Sequence, residues 1–350
     1  MHTKRLSHID LMRVITIFFM MMTHVVSGSW HNQPVTGGNW MVLNVYDSLV
    51  RFTVPLFVMI SGIFFLDPKK ALTFRALFQK YIWRIVTAFL FWSFLYAVGG
   101  NWLTYGALSK AFLVGVAKDF VGGRYHLWFL FMIVGLYLVT PFLRRITESR
   151  QLMQYFLALA ILFGMVVPAL RLWPLADKAL SPVVDKMHLH LVLGYTGAFV
   201  SGYYFHRYPL SRRWRYVIYA LGVISVIVTA LGTRLLSVAA GEPVDTLYST
   251  TLPTTYCTAL AVFLLFDNGL SHREFSEKTA NRLAWLSKIS FGMYLVHDLF
   301  IQVFEKFLHL TAVSFSPVLA VPLLTGAVFL LSFLASWVLS KIPWLNKYIL

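Results

Sequence analysis

The chain has 350 residues, 58% of them hydrophobic, 17% aromatic and only 13% charged, where an ordinary soluble domain carries roughly 25% charged residues. That composition excludes an ordinary soluble enzyme and describes an integral membrane protein. The formal net charge of +16 does not imply a nucleic-acid partner, because the lysines and arginines sit in short stretches between apolar blocks, where topology and anionic membrane lipid account for them.

Apolar residues run in blocks of about twenty, long enough for spanning helices, and lack the period-two alternation of lipid-facing strands. The expected fold is all-α: a polytopic bundle of about ten transmembrane helices, with residues 1–350 forming a single membrane-embedded domain. The blocks fall near 8–28, 45–66, 78–98, 126–145, 152–170, 189–206, 214–236, 253–270, 284–305 and 317–340. Basic residues concentrate in the loops of one side, which the positive-inside rule makes cytoplasmic, and both termini are expected there. The first block exceeds a signal-peptide core and is expected to stay as a helix. One cysteine, Cys257, excludes an internal disulfide and a cysteine metal cluster.

The first block, SHIDLMRVITIFFMMMTHVVSG, carries Asp10, Arg13 and His24. Eleven residues at about 100° each return Arg13 and His24 to within roughly 20° of one face, separated by roughly 16 Å along the axis. Ionisable groups at such depth are costly and mark pathways or sites. Histidine suits acid–base work near neutral pH, although a satisfied core hydrogen bond is the plainer alternative. Arg13 near a helix end can simply snorkel, with Asp10 one turn earlier as its counter-ion.

The second block opens at Arg51 in RFTVPLFVMISGIFF, where Pro55 is expected to free a backbone carbonyl and Ser61-Gly62 to permit close helix approach. Lys80 and Arg84, one turn apart at the start of the third block, read either as positive-inside anchors or, beside Arg13, as a site for phosphates. Between Gly99-Gly100 and Gly122-Gly123, Leu108, Phe112, Leu113, Val116 and Phe120 share one face, which predicts a short helix on the outer interface.

His126 enters the fourth block from outside, with Tyr125 and Trp128 as an aromatic belt or part of a site. In the sixth, Gly194, Ala198 and Gly202 form a small-residue series suited to close packing. His188-x-His190 lacks an evident third ligand, so no metal is expected. His297 lies beside Asp298 within the ninth block.

Taken together, HIDLMRVITIFFMMMTH resembles the opening Asp-x-x-Arg…His helix of the acyltransferase 3 family. VPLFVMISGIFF, YHLWFLFMIVGLYLVTPFLR and SFGMYLVHDLFI resemble that family's later signatures in the same order. Within it, SLVRFTVPLFVMISG and YHLWFL are most similar to the branch containing the enterobacterial common antigen O-acetyltransferase. The resemblance implies a multi-pass O-acetyltransferase of the bacterial cytoplasmic (inner) membrane. It would have no tightly bound cofactor, acetyl-CoA as acyl donor and a glycan or lipid-linked saccharide as acceptor, and would work beside the envelope-polysaccharide biosynthesis machinery. It also implies that His24 is the catalytic histidine, with Arg13 as essential partner and Asp10 next to it.

Arg51, Ser61, Lys80, Arg84, His126, Trp128 and His297 are the expected substrate contacts. The family often has an Arg-x-x-Arg pair at the third span. Here the first position is Tyr81 and the second Arg84, with Lys80 adjacent. A transporter or flippase is the main alternative, since intramembrane charge and broken helices also mark carriers, and a non-catalytic membrane scaffold is the third. No G-x-S-x-G elbow supports serine hydrolase chemistry.

Overall fold

A computed structural model describes residues 6–106, 108–187 and 194–349, and His188 and His190 lie outside them. Among the described residues the chain is helical, with no strand. Among those same residues eight helical segments are long and apolar enough to cross a membrane, and the chain is a multi-pass membrane protein.

The first span is α1 (Ser7–Trp30), whose 24 residues reach about 36 Å at 1.5 Å each, enough for a hydrocarbon core of about 30 Å. The second expected span is two helices, α2 (Gly38–Val50) and α3 (Thr53–Phe65), parted at Arg51 and Phe52. Pro55 falls in the first turn of α3, where its missing N–H costs no intrahelical bond. The carbonyls that it leaves unbonded therefore belong to the break and not to a kinked helix.

A short α4 (Phe74–Ala76) passes through a π-helical turn, Leu77–Ile82, into α5 (Trp83–Tyr105). The expected interfacial helix is α6 (Lys110–Gly122), N-capped by Ser109 and with Phe112 as its buried anchor. It packs on α5 through Ser93 Oγ, which donates to the Phe120 carbonyl at 2.6 Å, and Asn101 Nδ2, which donates to Asp119 Oδ2 at 2.7 Å.

A 3-10 turn, Tyr125–Leu127, leads into α7 (Trp128–Thr147), followed by α8 (Arg150–Ile161), α9 (Val167–Leu170) and α10 (Pro174–Val184). The remaining helices are α11 (Thr196–Arg207), α12 (Arg212–Ala240), α13 (Pro253–Asp267), α14 (Glu277–Gln302), α15 (Pro317–Leu339) and α16 (Pro343–Tyr348).

Among the described residues, two of the ten expected blocks fall short of the length or the hydropathy of a spanning helix. The sixth is represented by α11, which has only 12 residues. The ninth is α14, which is 26 residues long but is made too polar by Lys288, His297, Asp298 and their neighbours. Both are held by packing. A Cβ on Gly62 would collide with the Phe199 carbonyl oxygen, and one on Gly202 with that of Met59. Glycine at both positions therefore sets the separation of α3 and α11, as the small-residue pattern predicts. Central α1 packs against α2, α3, α14 and α15, so its polar face looks into the bundle.

Candidate active site

Two neighbours of α1, α3 and α14, and α7 across the cavity bring distant residues to its polar face. Arg13 Cζ lies 5.4 Å from the ring centre of Phe64, near the end of α3. The start of α3, with Arg51, is thereby carried toward His24. Arg13 Nη1 donates to Ser287 Oγ at 3.0 Å, so α14 rises alongside α1 and delivers His297 to the His24 level. α7 descends from His126, and Tyr137 reaches the Arg13 level, stacked on Phe65 at 4.1 Å. A cavity of about 480 Å³ runs between these helices.

Arg13, Tyr81, Arg84, Tyr137, Ser287 and Lys288 line one end. The π turn before α5 adds a residue to the helical repeat and shifts the phase of the helix beyond it. Tyr81 points inward, edge-on to Phe65 at 4.9 Å, and Arg84 lies 5.7 Å from the ring of Phe291. Lys80 is exposed, with its Nζ 5.3 Å from the Tyr81 ring, and does not line the cavity. Lys288 does. It reads in the sequence as a loop anchor because it lies near the start of an apolar block. Its relation to Arg13 emerges only when α14 is placed beside α1. Asp10 is buried in the first turn of α1, where a carboxylate complements the helix dipole, and it is also outside the cavity lining. Ser61 lines the wall four residues before the end of α3.

At the other end the structure gathers three histidines separated by more than a hundred residues. Ring centres are 5.1 Å apart for His24 and His297, 4.9 Å for His126 and His297, and 6.5 Å for His24 and His126. His297 is fully buried, and its Nδ1 donates to the Tyr294 carbonyl at 2.5 Å. This fixes the tautomer and leaves Nε2 as a bare acceptor. His126 is held by its backbone, whose carbonyl accepts from Tyr294 Oη at 2.6 Å. Both of its ring nitrogens are buried with no hydrogen-bond partner.

Asp298 is not the partner of His297. One residue further round the helix, it accepts from Arg124 Nε at 2.7 Å and Gln302 Nε2 at 2.8 Å. Arg51 pairs with fully buried Asp47 one turn earlier and lies over the Tyr248 ring at 4.3 Å. Tyr248 is itself tied by its hydroxyl to Asn44. The Asp47–Arg51 spacing of four residues is a legible signal for this positioning carboxylate. Trp128 is 43% exposed at the cavity wall and packs against Tyr195 at 6.0 Å.

Among the described residues no group of three or more His, Cys, Asp or Glu side chains is arranged to hold a metal ion. The arrangement offers cations at one end, imidazoles at the other and a largely apolar passage between. Neither curated proteins nor solved structures gave a match to the chain. A family model described as an acyltransferase domain matches residues 6–339, a span that includes all of these lining residues. The chain therefore belongs to the acyltransferase 3 family and is a membrane acyltransferase.

Proposed function

We propose that the protein is an O-acyltransferase, most simply an O-acetyltransferase, that moves an acyl group from cytoplasmic acyl-CoA to a hydroxyl of an envelope glycan or lipid-linked saccharide. The observation that carries this reading is the single cavity joining Arg13 and Arg84 to His24. Guanidinium groups suit the phosphates of a coenzyme, and the apolar passage suits an uncharged arm bearing the thioester. With the basic loops in the cytoplasm, the donor enters at the Arg13 end and the acceptor at the His24 end, in a bacterial inner membrane. The sequence likeness of SLVRFTVPLFVMISG favours an acceptor of the enterobacterial common antigen class.

His24 takes the proton from the acceptor hydroxyl as its oxygen bonds to the thioester carbon. The developing oxyanion is met by a donor at that end, for which the Arg51 guanidinium and the His126 imidazole are in reach of the same cavity. As the carbon–sulfur bond breaks, the leaving thiolate takes the proton back from the His24 imidazolium, and the base is restored.

The test compares envelope glycans by mass spectrometry in cells lacking the protein, restored with wild type, and restored with His24→Ala at equal membrane abundance. An acyl increment restored by wild type and not by His24→Ala is expected. Full restoration by the alanine variant removes His24 as the base. Solute uptake or export that changes while glycans do not assigns the protein to carriers.

A further inference from the structure

The His24 end of the cavity is balanced in charge, and on the reading just proposed this constrains the acceptor. Among the described residues lining that end, Arg51 is the guanidinium, and buried Asp47 cancels it. Arg124, just outside, is held in the same way by Asp298, which is 1% exposed. A guanidinium paired with a buried carboxylate keeps its N–H donors but leaves this end without net charge, so a full anion desolvated there meets no opposing net charge.

The polar groups that remain are uncharged. Thr250 presents a hydroxyl that is bonded to that of Tyr195, and His126 lines the cavity with both ring nitrogens buried and without a hydrogen-bond partner. A buried polar atom without a partner is destabilising until something bonds to it. Beside them stands the Trp128 ring, backed by Tyr195. One aromatic face flanked by neutral donors and acceptors matches a sugar ring, which has an apolar C–H face and a hydroxyl rim.

We propose that this end is a subsite for an uncharged saccharide ring, stacked on Trp128 and hydrogen-bonded to His126 and Thr250, and that it rejects uronic acids and sugar phosphates. The inference rests on the acyltransfer reading and goes beyond it by fixing the charge class of the acceptor unit.

The experiment locates the protein-dependent acyl group within envelope glycans by tandem mass spectrometry. An acyl group on a neutral sugar residue is expected. An acyl group on a uronic acid or a phosphate-bearing sugar overturns the subsite while leaving acyl transfer intact. The lack of any protein-dependent acyl group, with unchanged acyl-CoA consumption, overturns the acyltransfer reading itself.

The platform is tested separately in membranes supplied with the glycan so identified. Trp128→Ala raises the acceptor KM at least tenfold with little change in kcat, and Trp128→Phe restores most of the loss. An unchanged KM in Trp128→Ala removes the stacking contact.

Discussion

His24 and His297 face one another with ring centres 5.1 Å apart and planes inclined by 34°, although 273 positions separate them in the chain. The Nδ1 proton of His297 is committed to the Tyr294 carbonyl, so this ring can accept a proton bond but offers none toward the cavity. His297 is thus a packing neighbour of the proposed base, fully buried behind the cavity lining, and its Nε2 has no hydrogen-bond partner.

Replacing the base should remove general-base catalysis, which contributes about 10²–10⁴-fold. His24→Ala is expected to lose that much acyl transfer at wild-type membrane abundance. His297→Ala should lose about tenfold, the cost of a misaligned ring. Both are read as acyl-CoA consumption in purified membranes.

Lys80 lies within the π turn and Arg84 in the first turn of α5, and only Arg84 lines the cavity. A hydrogen bond to a charged group contributes about 1.5–3 kcal/mol, so Arg84→Ala should raise the acyl-CoA KM about tenfold or more, whereas Lys80→Ala should stay within about twofold. Lys288→Ala is expected to resemble Arg84→Ala. Titrating donor concentration in initial-rate assays separates the three.

The α3–α11 contact has no room for a methyl group. Gly62→Ala and Gly202→Ala should each destabilise the bundle by about 1–3 kcal/mol or prevent assembly. Gly326→Ala, with nothing within 4 Å of the added carbon, serves as the tolerated control. Thermal aggregation of detergent-solubilised protein reads all three.

Arg144 closes the end of α3, donating to the carbonyls of Phe65, at 2.9 Å, and of Lys70. It satisfies groups that a helix end leaves orphaned. Arg144→Ala should lower the melting temperature while leaving the donor and acceptor KM near wild type, which separates this arginine from Arg13 and Arg84.

The helical class and the common face of Arg13 and His24 can be read directly, because periodicity is a local property. The meeting of His24 with His126 and His297 cannot, because it depends on which helices become neighbours. Each histidine alone is only an expensive polar residue in an apolar run. The break at Arg51 is hidden in the sequence, since hydropathy averaged over a spanning length is blind to a two-residue interruption. Lys80 and Lys288 look equivalent as basic residues near span starts. Both are exposed, but the placement of α14 brings Lys288 to the cavity wall while Lys80 stays outside it.

The polarity of α14 has a consequence for biogenesis. A segment carrying Lys288, His297 and Asp298 gains little by entering lipid on its own. Its favourable surroundings are supplied by α1, synthesised long before, and by α15, synthesised just after. This helix should therefore settle last, gripped between the oldest and one of the youngest segments, and the three histidines come together only once insertion is finished.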